Sequence, residues 1–370
     1  MTISFFSNFL NHHQLPLCQE LIHLIGEDNF HFISCEPIED ERSKMGYENM
    51  NIIYPFVVRA YESSDLFDYA LQLAHTSDVA IIGSATGIFA KIRSENNKLT
   101  FLFSERIFKN GAWHRFIPTT ANAIYNGYTR YRKRNFYVLC SSAYTADDLS
   151  KCFFPREKCL KWGYFPVLSK RINKNFDKLR ILWCGRMLWW KHPEDAVETA
   201  RLLSSLSIDY EMTIIGNGER RKTLEQSIIA YDLSSRILMR DFMSPSDIRS
   251  HMNDSNVYLF TSGKQEGWGA VLNEAMNSGC AVIANKNAGS TPYLIHNNKN
   301  GILYDGTQRS LQNAVSKLVS SNLSEISEAA YYTIEKIWNA KTAASRLVHT
   351  CYTLMNGQES FYNDGPCSLA

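Results

Sequence analysis

Short apolar runs alternate with amphipathic stretches along most of the chain. Runs of four to six apolar residues occur at FHFIS (30–34), DVAIIGS (78–84), TFLFSER (100–106) and FYVLCSS (136–142), after a first run TISFFS (2–7). Helical spacing separates some of them, at LCQELIHLIG (17–26) and LFDYALQLAHT (66–76). Near-continuous apolar strands between amphipathic helices predict a parallel sheet covered on both faces. A polar stretch, YFPVLSKRINKNFDKL (164–179), interrupts the pattern and reads as a linker.

The alternation then restarts. Strands are predicted at RILWCG (180–185), YEMTIIGNG (210–218), RILMRDF (236–242), NVYLFTS (256–262) and CAVIAN (280–285). Helices are predicted at 192–206, 219–233, 244–255 and 269–279 between them. This is a second doubly wound α/β domain. Two helices follow, at 308–321 and 324–355, and the aperiodic 356–370 is expected to fray. The expected division is 1–166, 167–332, a closing helix 333–355 and a tail 356–370.

Composition narrows the class without deciding it. A chain of 370 residues is long for one core. A net charge of +2 favours no charged partner for the chain as a whole. The nine cysteines are odd in number and contain no C-x-x-C pair, so neither a disulfide framework nor a zinc site is indicated. The N-terminal residues lack the basic and apolar regions of a signal peptide, and no apolar run is long enough to span a bilayer. The expectation is a cytoplasmic protein that meets a membrane only from the side.

Ligands of open α/β sheets bind beyond the carboxyl ends of the strands, so the chemistry is sought there. Arg186 and Lys191 follow the strand RILWCG, and two cations in one loop suit a diphosphate. Gly216 and Gly218 follow YEMTII; the third glycine of a dinucleotide fingerprint is missing, which argues against NAD, and the two glycines read as letting backbone approach a ligand or as making a turn. Phe242 follows RILMRD, and backbone groups there could face a base. The stretch SGKQEGWGAVLNEAMNSGC (262–280) carries Glu266 before a predicted helix and Glu274 within it. Free amides at that helix start suit a phosphate, and the two carboxylates would then bracket it, ready to accept hydroxyl hydrogen bonds. Taken one at a time, each feature also reads as an ordinary surface charge or turn. Together they stand at four strand ends.

These segments, CGRMLWWKHPEDAVETARLL, TIIGNGERRKTLE and LFTSGKQEGWGAVLNEAMNSGCAVIA, resemble the family 4 retaining glycosyltransferases of the GT-B fold. The E-x7-E element matches at Glu266 and Glu274, and the Arg-x4-Lys pair at Arg186 and Lys191. The resemblance implies two Rossmann-like domains facing a central cleft, the last helix returning to the first domain, and a nucleotide-diphosphate sugar as donor. By that resemblance Arg186 and Lys191 hold the diphosphate and Glu274 the ribose. Glu266 touches the donor sugar beside the amides of Gly267, Trp268 and Gly269, and the Val271 and Leu272 amides meet phosphate. It implies no metal or other cofactor, and a same-face displacement without a protein nucleophile. A UDP-sugar is favoured over a GDP-sugar.

The first domain departs from the family's pattern. Where relatives have a Gly-rich loop after the first strand, this chain has SNFLNHHQLP, so His12 and His13 are candidates for acceptor or phosphate contact. Where relatives place a histidine near the sugar, it has FLFSERIFKNG, which makes Glu105 a candidate for stabilising positive charge at the anomeric centre. The stretch 122–138 mixes four cations with tyrosines and could touch a membrane surface. A glycan or lipid-linked acceptor is expected, and nucleic acid is not, since no nucleic-acid motif accompanies the patch. Two rivals are a non-catalytic subunit that activates a partner glycosyltransferase and a sugar-nucleotide epimerase.

Overall fold

A computed structural model of the chain describes residues 1–39 and 48–370. The chain divides into two compact units, Met1–Val167 with Ile337–Ala370, and Leu168–Lys336.

Unit 1 is a seven-stranded, all-parallel sheet. Its strands are β1 (Ile3–Ser7), β2 (Phe30–Ser34), β3 (Val57–Arg59), β4 (Val79–Ile82), β5 (Thr100–Ser104), β6 (Phe136–Cys140) and β7 (Cys159–Lys161), in the spatial order β3-β2-β1-β4-β5-β6-β7. β1, β4 and β6 are buried along their whole length, as strands covered on both faces should be. The order reverses at β1, which lies between β2 and β4.

Unit 2 repeats the plan with six parallel strands, β8 (Leu179–Cys184), β9 (Tyr210–Ile215), β10 (Ile237–Arg240), β11 (Val257–Phe260), β12 (Ala281–Asn285) and β13 (Ile302–Tyr304), in the order β10-β9-β8-β11-β12-β13. Here the reversal is at β8. One apolar core joins β8 (Ile181, Trp183), the helix Glu194–Ser205 (Val197, Leu203) and the helix Gln308–Ser320 (Val315, Leu318).

Three strands, β3, β7 and β13, are only three residues long and leave no clear apolar run in the sequence. The helix Gly87–Glu95 is also unannounced, because one of its inward positions is a charged residue, Arg93. That guanidinium is fully buried and donates to the carbonyls of Ala74, Ser77, Asp78 and Leu99 and to the Thr100 hydroxyl.

The closing helix expected over 324–355 is two helices, Leu323–Lys336 and Ala340–Met355. The break falls where the chain passes between units, and the Asn339 side chain caps the second helix by accepting from the Thr342 amide at 2.8 Å. That helix packs on α1 (Leu15–Ile25) within unit 1.

The fraying expected over 356–370 is corrected. The end of the chain lies antiparallel along β7, with Ser368 and Leu369 beside Lys161 and Leu160. Lys161 N–H donates to Ser368 O at 2.7 Å and Ala370 N–H to Cys159 O at 2.9 Å. Hydrogen bonds to an open sheet edge order a segment that has no periodicity of its own. All nine cysteines are free thiols, seven of them buried.

Candidate functional site

In unit 2 the pairing of β8 with β11 covers only Ile181–Val257 and Leu182–Tyr258. Pairing ends there, where strand order reverses, the place at which open α/β sheets form a ligand crevice. The loop after β8 carries Arg186 and Lys191, and the loop after β11 carries Glu266. Lys191 Nζ and Glu266 Oε2 form a close ion pair, both side chains largely buried. Hydrogen bonds hold the loops in register. Trp183 Nε1 donates to Thr261 Oγ1 at 2.8 Å, and the Gly263 amide donates to Trp190 O at 2.8 Å. Arg186 is exposed, and among the described residues its guanidinium makes no ion pair or hydrogen bond.

Gly216 and Gly218 follow β9 and lie against the loop that follows β8. A Cβ on Gly216 would stand 1.9 Å from Gly185 O, and one on Gly218 2.8 Å from Met187 O. Both have positive φ, 140° and 149°. These glycines let the β9 loop touch the β8 loop, and the Met187 amide donates to Asn217 O at 2.8 Å across the contact. They hold up the loop that bears Arg186. Phe242, after β10, is about half exposed.

The stretch 266–274 runs from the loop after β11 into a helix. Trp268 is fully buried, its indole N–H donating to Asn273 Oδ1 at 2.8 Å. Gly269 has φ 85°, and a Cβ there would fall 2.3 Å from the Phe260 ring, so no other residue fits. Gly267 is buried beside Trp268. The helix is short, Val271–Asn277, and Glu274 lies in its first turn, closer to the start than expected. The Leu272 amide, expected to face phosphate, donates to Gly269 O at 3.0 Å, and the Leu272 side chain is in the core. Val271 opens the helix. Burial pushes the Glu274 carboxyl up to about 7, with Arg249 pulling it back.

In unit 1 the loop after β1 carries His12 and His13, their rings 3.8 Å apart. Asn11 shapes this loop by accepting from the amides of His13 and Gln14 at 3.0 and 3.2 Å. Glu105, just past β5, accepts from Lys109 Nζ at 2.8 Å and from the Tyr164 hydroxyl at 3.2 Å. The Tyr164 ring lies 6.0 Å from that of His13. Tyr164, read in the sequence as part of a linker, therefore joins the two candidate loops. Glu105 lines a cavity of about 420 Å³ with Ser104, Arg106, Lys109, His114 and Tyr128. Arg106 is held over the Tyr144 ring at 4.7 Å and faces Asp148 at 3.6 Å.

The 122–138 stretch does not present its tyrosines outward as expected. Tyr131 and Tyr137 are buried, and Tyr131 stacks on Phe136 with centroids 4.6 Å apart. Tyr128 OH lies 2.7 Å from Ser104 Oγ. Of the four, Tyr125 alone is exposed. An apolar ring at the edge of a sheet is worth more inside than at the surface.

Comparison with known proteins gives a family match over part of the chain and a fold for the whole. Residues 165–336 match the family described as "Glycosyl transferases group 1". Over 130 residues the chain is 31% identical to the amylovoran biosynthesis glycosyltransferase AmsK of Erwinia amylovora, covering 34% of this chain and 32% of that one. Over 164 residues it is 26% identical to the putative colanic acid biosynthesis glycosyltransferase WcaL of Salmonella typhimurium, covering 43% and 38%. The matches span about a third of the length of these relatives. Among solved structures, Anabaena Alr3699/HepE in complex with UDP superposes with a TM-score of 0.70 at 16% identity, over 95% of this chain and 100% of that one. The lipopolysaccharide outer core galactosyltransferase WaaB gives 0.66 at 17% identity, over 96% and 100%. By sequence over residues 165–336 the chain matches the group 1 glycosyl transferases, and its two parallel-sheet units have the fold of GT-B glycosyltransferases.

Proposed function

We propose that the protein is a retaining glycosyltransferase that moves a sugar from a nucleotide-diphosphate sugar to a glycan or lipid-linked acceptor in polysaccharide or glycolipid synthesis. The observation that carries this reading is the meeting of Lys191 and Glu266 at the switch point of unit 2, with Glu274 behind them, inside the matched segment. UDP is the favoured nucleotide: HepE, which shares the fold, was crystallised with UDP and with UDP-glucose. Names of sequence relatives, such as those of AmsK and WcaL, support a surface polysaccharide as the product.

In this reading Arg186 and Lys191 bind the diphosphate, Glu274 accepts from the ribose hydroxyls and Phe242 lies by the base. Glu266 and the backbone of Gly267–Gly269 hold the sugar. The bond between the anomeric carbon and the β-phosphate oxygen breaks as the acceptor oxygen bonds to the same face. The acceptor proton passes to the departing phosphate. Fixed cations stabilise the negative charge that develops there, a task that otherwise falls to a metal. No metal or other cofactor is therefore proposed. In unit 1, Glu105 offers negative charge to the anomeric centre, and His12 and His13 contact acceptor or phosphate. The place of action is the cytoplasm; among the described residues no helix is long and apolar enough to cross a membrane.

The test is a panel of UDP- and GDP-sugars with thermal shift and donor hydrolysis as readouts. A shift with one nucleotide series, lost in Arg186→Ala and Glu274→Ala, is expected. A protein that responds to no nucleotide sugar would not be a glycosyltransferase, and one that binds without hydrolysis or transfer would be a non-catalytic subunit.

A further inference from the structure

Between Arg106 and Arg134 the chain has seven lysines and arginines and no aspartate or glutamate. Two of the cations are used locally, Arg106 toward Asp148 and Lys109 on Glu105. The other five, Arg115, Arg130, Arg132, Lys133 and Arg134, form no ion pair among the described residues. Arg115, Arg130 and Arg132 donate only to neutral groups, the carbonyls of Ala112 and Thr129 and the amide oxygen of Asn126.

The same segment presents large rings to solvent. It folds as a turn, Ala112–Phe116, packed on the helix Pro118–Gly127. Trp113 is 60% exposed, Phe116 74% and Tyr125 53%. The helix buries a single side chain, Ile124. A helix that gives one residue to the core is not held in place by its own burial. Exposed rings among unpaired cations have the composition of a surface that meets both charge and hydrocarbon.

We propose that this face, residues 112–134, docks unit 1 onto an anionic lipid surface. Trp113, Phe116 and Tyr125 would enter the headgroup boundary, where rings with a polar edge are favoured. Arg115 and the Arg130–Arg134 run would lie over the anionic headgroups. His114 and Thr120 belong to the same turn and helix and also line the cavity that holds Glu105. A lipid-borne acceptor would thus meet the cavity at the docking face itself. The docking does not depend on the glycosyltransferase reading; only its link to the cavity does.

The full chain is mixed with vesicles of phosphatidylcholine alone or containing phosphatidylglycerol, and bound protein is separated by flotation. Binding to the anionic vesicles only, weakened by salt, is expected. Brominated lipid should quench part of the tryptophan fluorescence, and Trp113→Phe should remove that part. The pair Trp113→Ala with Phe116→Ala, and separately the set R130Q, R132Q, K133Q and R134Q, should each lower partitioning about tenfold or more. Far-UV circular dichroism and a cooperative unfolding transition like that of the wild type serve as the check that these variants fold. Equal binding to both vesicle types, unchanged binding of both variants, or capture of single-stranded RNA in place of vesicles overturns the proposal. A protein that binds anionic vesicles but no nucleotide keeps the docking face and loses the proposed function; one that binds nucleotide but no vesicle does the reverse.

Discussion

Lys191 and Glu266 are 75 residues apart in sequence and form an ion pair between the loops after β8 and β11. On the proposed function, a cation already neutralised by a carboxylate must exchange that partner for phosphate when a donor binds. Lys191→Met should therefore weaken UDP binding by about tenfold to a hundredfold, the size of a charge-assisted hydrogen bond of ~1.5–3 kcal/mol. Uridine affinity should hardly change. Glu266→Gln should leave UDP binding intact or tighter while transfer falls. Calorimetric titration with UDP and uridine, set beside donor turnover, reads all three; equal losses for UDP and uridine in Lys191→Met would sink the phosphate role.

Glu274 carries a pH dependence whose sign is fixed. Its carboxyl is raised to about 7 by burial, above an unfolded value of 4.5. The folded state therefore holds more protons between these values, so its stability falls as pH rises through that window. Glu274→Gln should remove this slope and stabilise the free protein at pH 8 by about 2 kcal/mol. The proposed ribose contact needs the ionised form, so wild-type UDP affinity should rise through pH 7 and the variant's should be weak and flat. Denaturant titrations at pH 5 and 8, with UDP titrations alongside, check both halves.

Gly216→Ala should destabilise unit 2 by about 2 kcal/mol or more, because the new Cβ has no room against Gly185 O and φ is positive. Since the strain moves the loop that bears Arg186, UDP binding should fall with it. A variant of wild-type stability and affinity would show that the two loops are not locked.

Arg93→Met should cost about 3 kcal/mol in unit 1, as several buried carbonyls lose their donor together. UDP titration should be unaffected, because the donor residues lie in unit 2. Unfolding followed by fluorescence, with UDP binding of the folded fraction, separates the two effects.

Tyr164→Phe removes one of the two donors to Glu105 without removing a charge. If Glu105 serves the anomeric centre, turnover should fall about tenfold with donor KM unchanged. Glu105→Gln should fall further. A change confined to KM would place Glu105 in binding alone.

How far the sequence could be read depended on which physical signal each element leaves. β1, β4 and β12 are buried on both faces, so their apolar runs announce them. The Arg-x4-Lys and E-x7-E spacings are legible because each lies within one short segment after an apolar strand. Arg93 hid a helix, since a buried cation satisfied by carbonyls looks like a surface residue. Tyr164 was read as linker because its partners, Glu105 and His13, are distant in sequence. Nor does the sequence indicate that Gly216 packs against the Gly185 carbonyl, or that Tyr131 turns inward to stack on Phe136. Those depend on neighbours that only the fold supplies.

The Ala340–Met355 helix packs on α1, more than three hundred residues away, whereas Leu168–Lys336 is one unbroken segment. During synthesis unit 2 is fully emerged while unit 1 still lacks its closing helix, and α1 must wait with an apolar face uncovered. Unit 2 has the means to mature first, and unit 1 only when the Ala340–Met355 helix has emerged. A nascent chain emerged from the ribosome only as far as residue 336 would hold an intact unit 2 joined to an unfinished unit 1. That interval is when the chain is most open to chaperones and to aggregation.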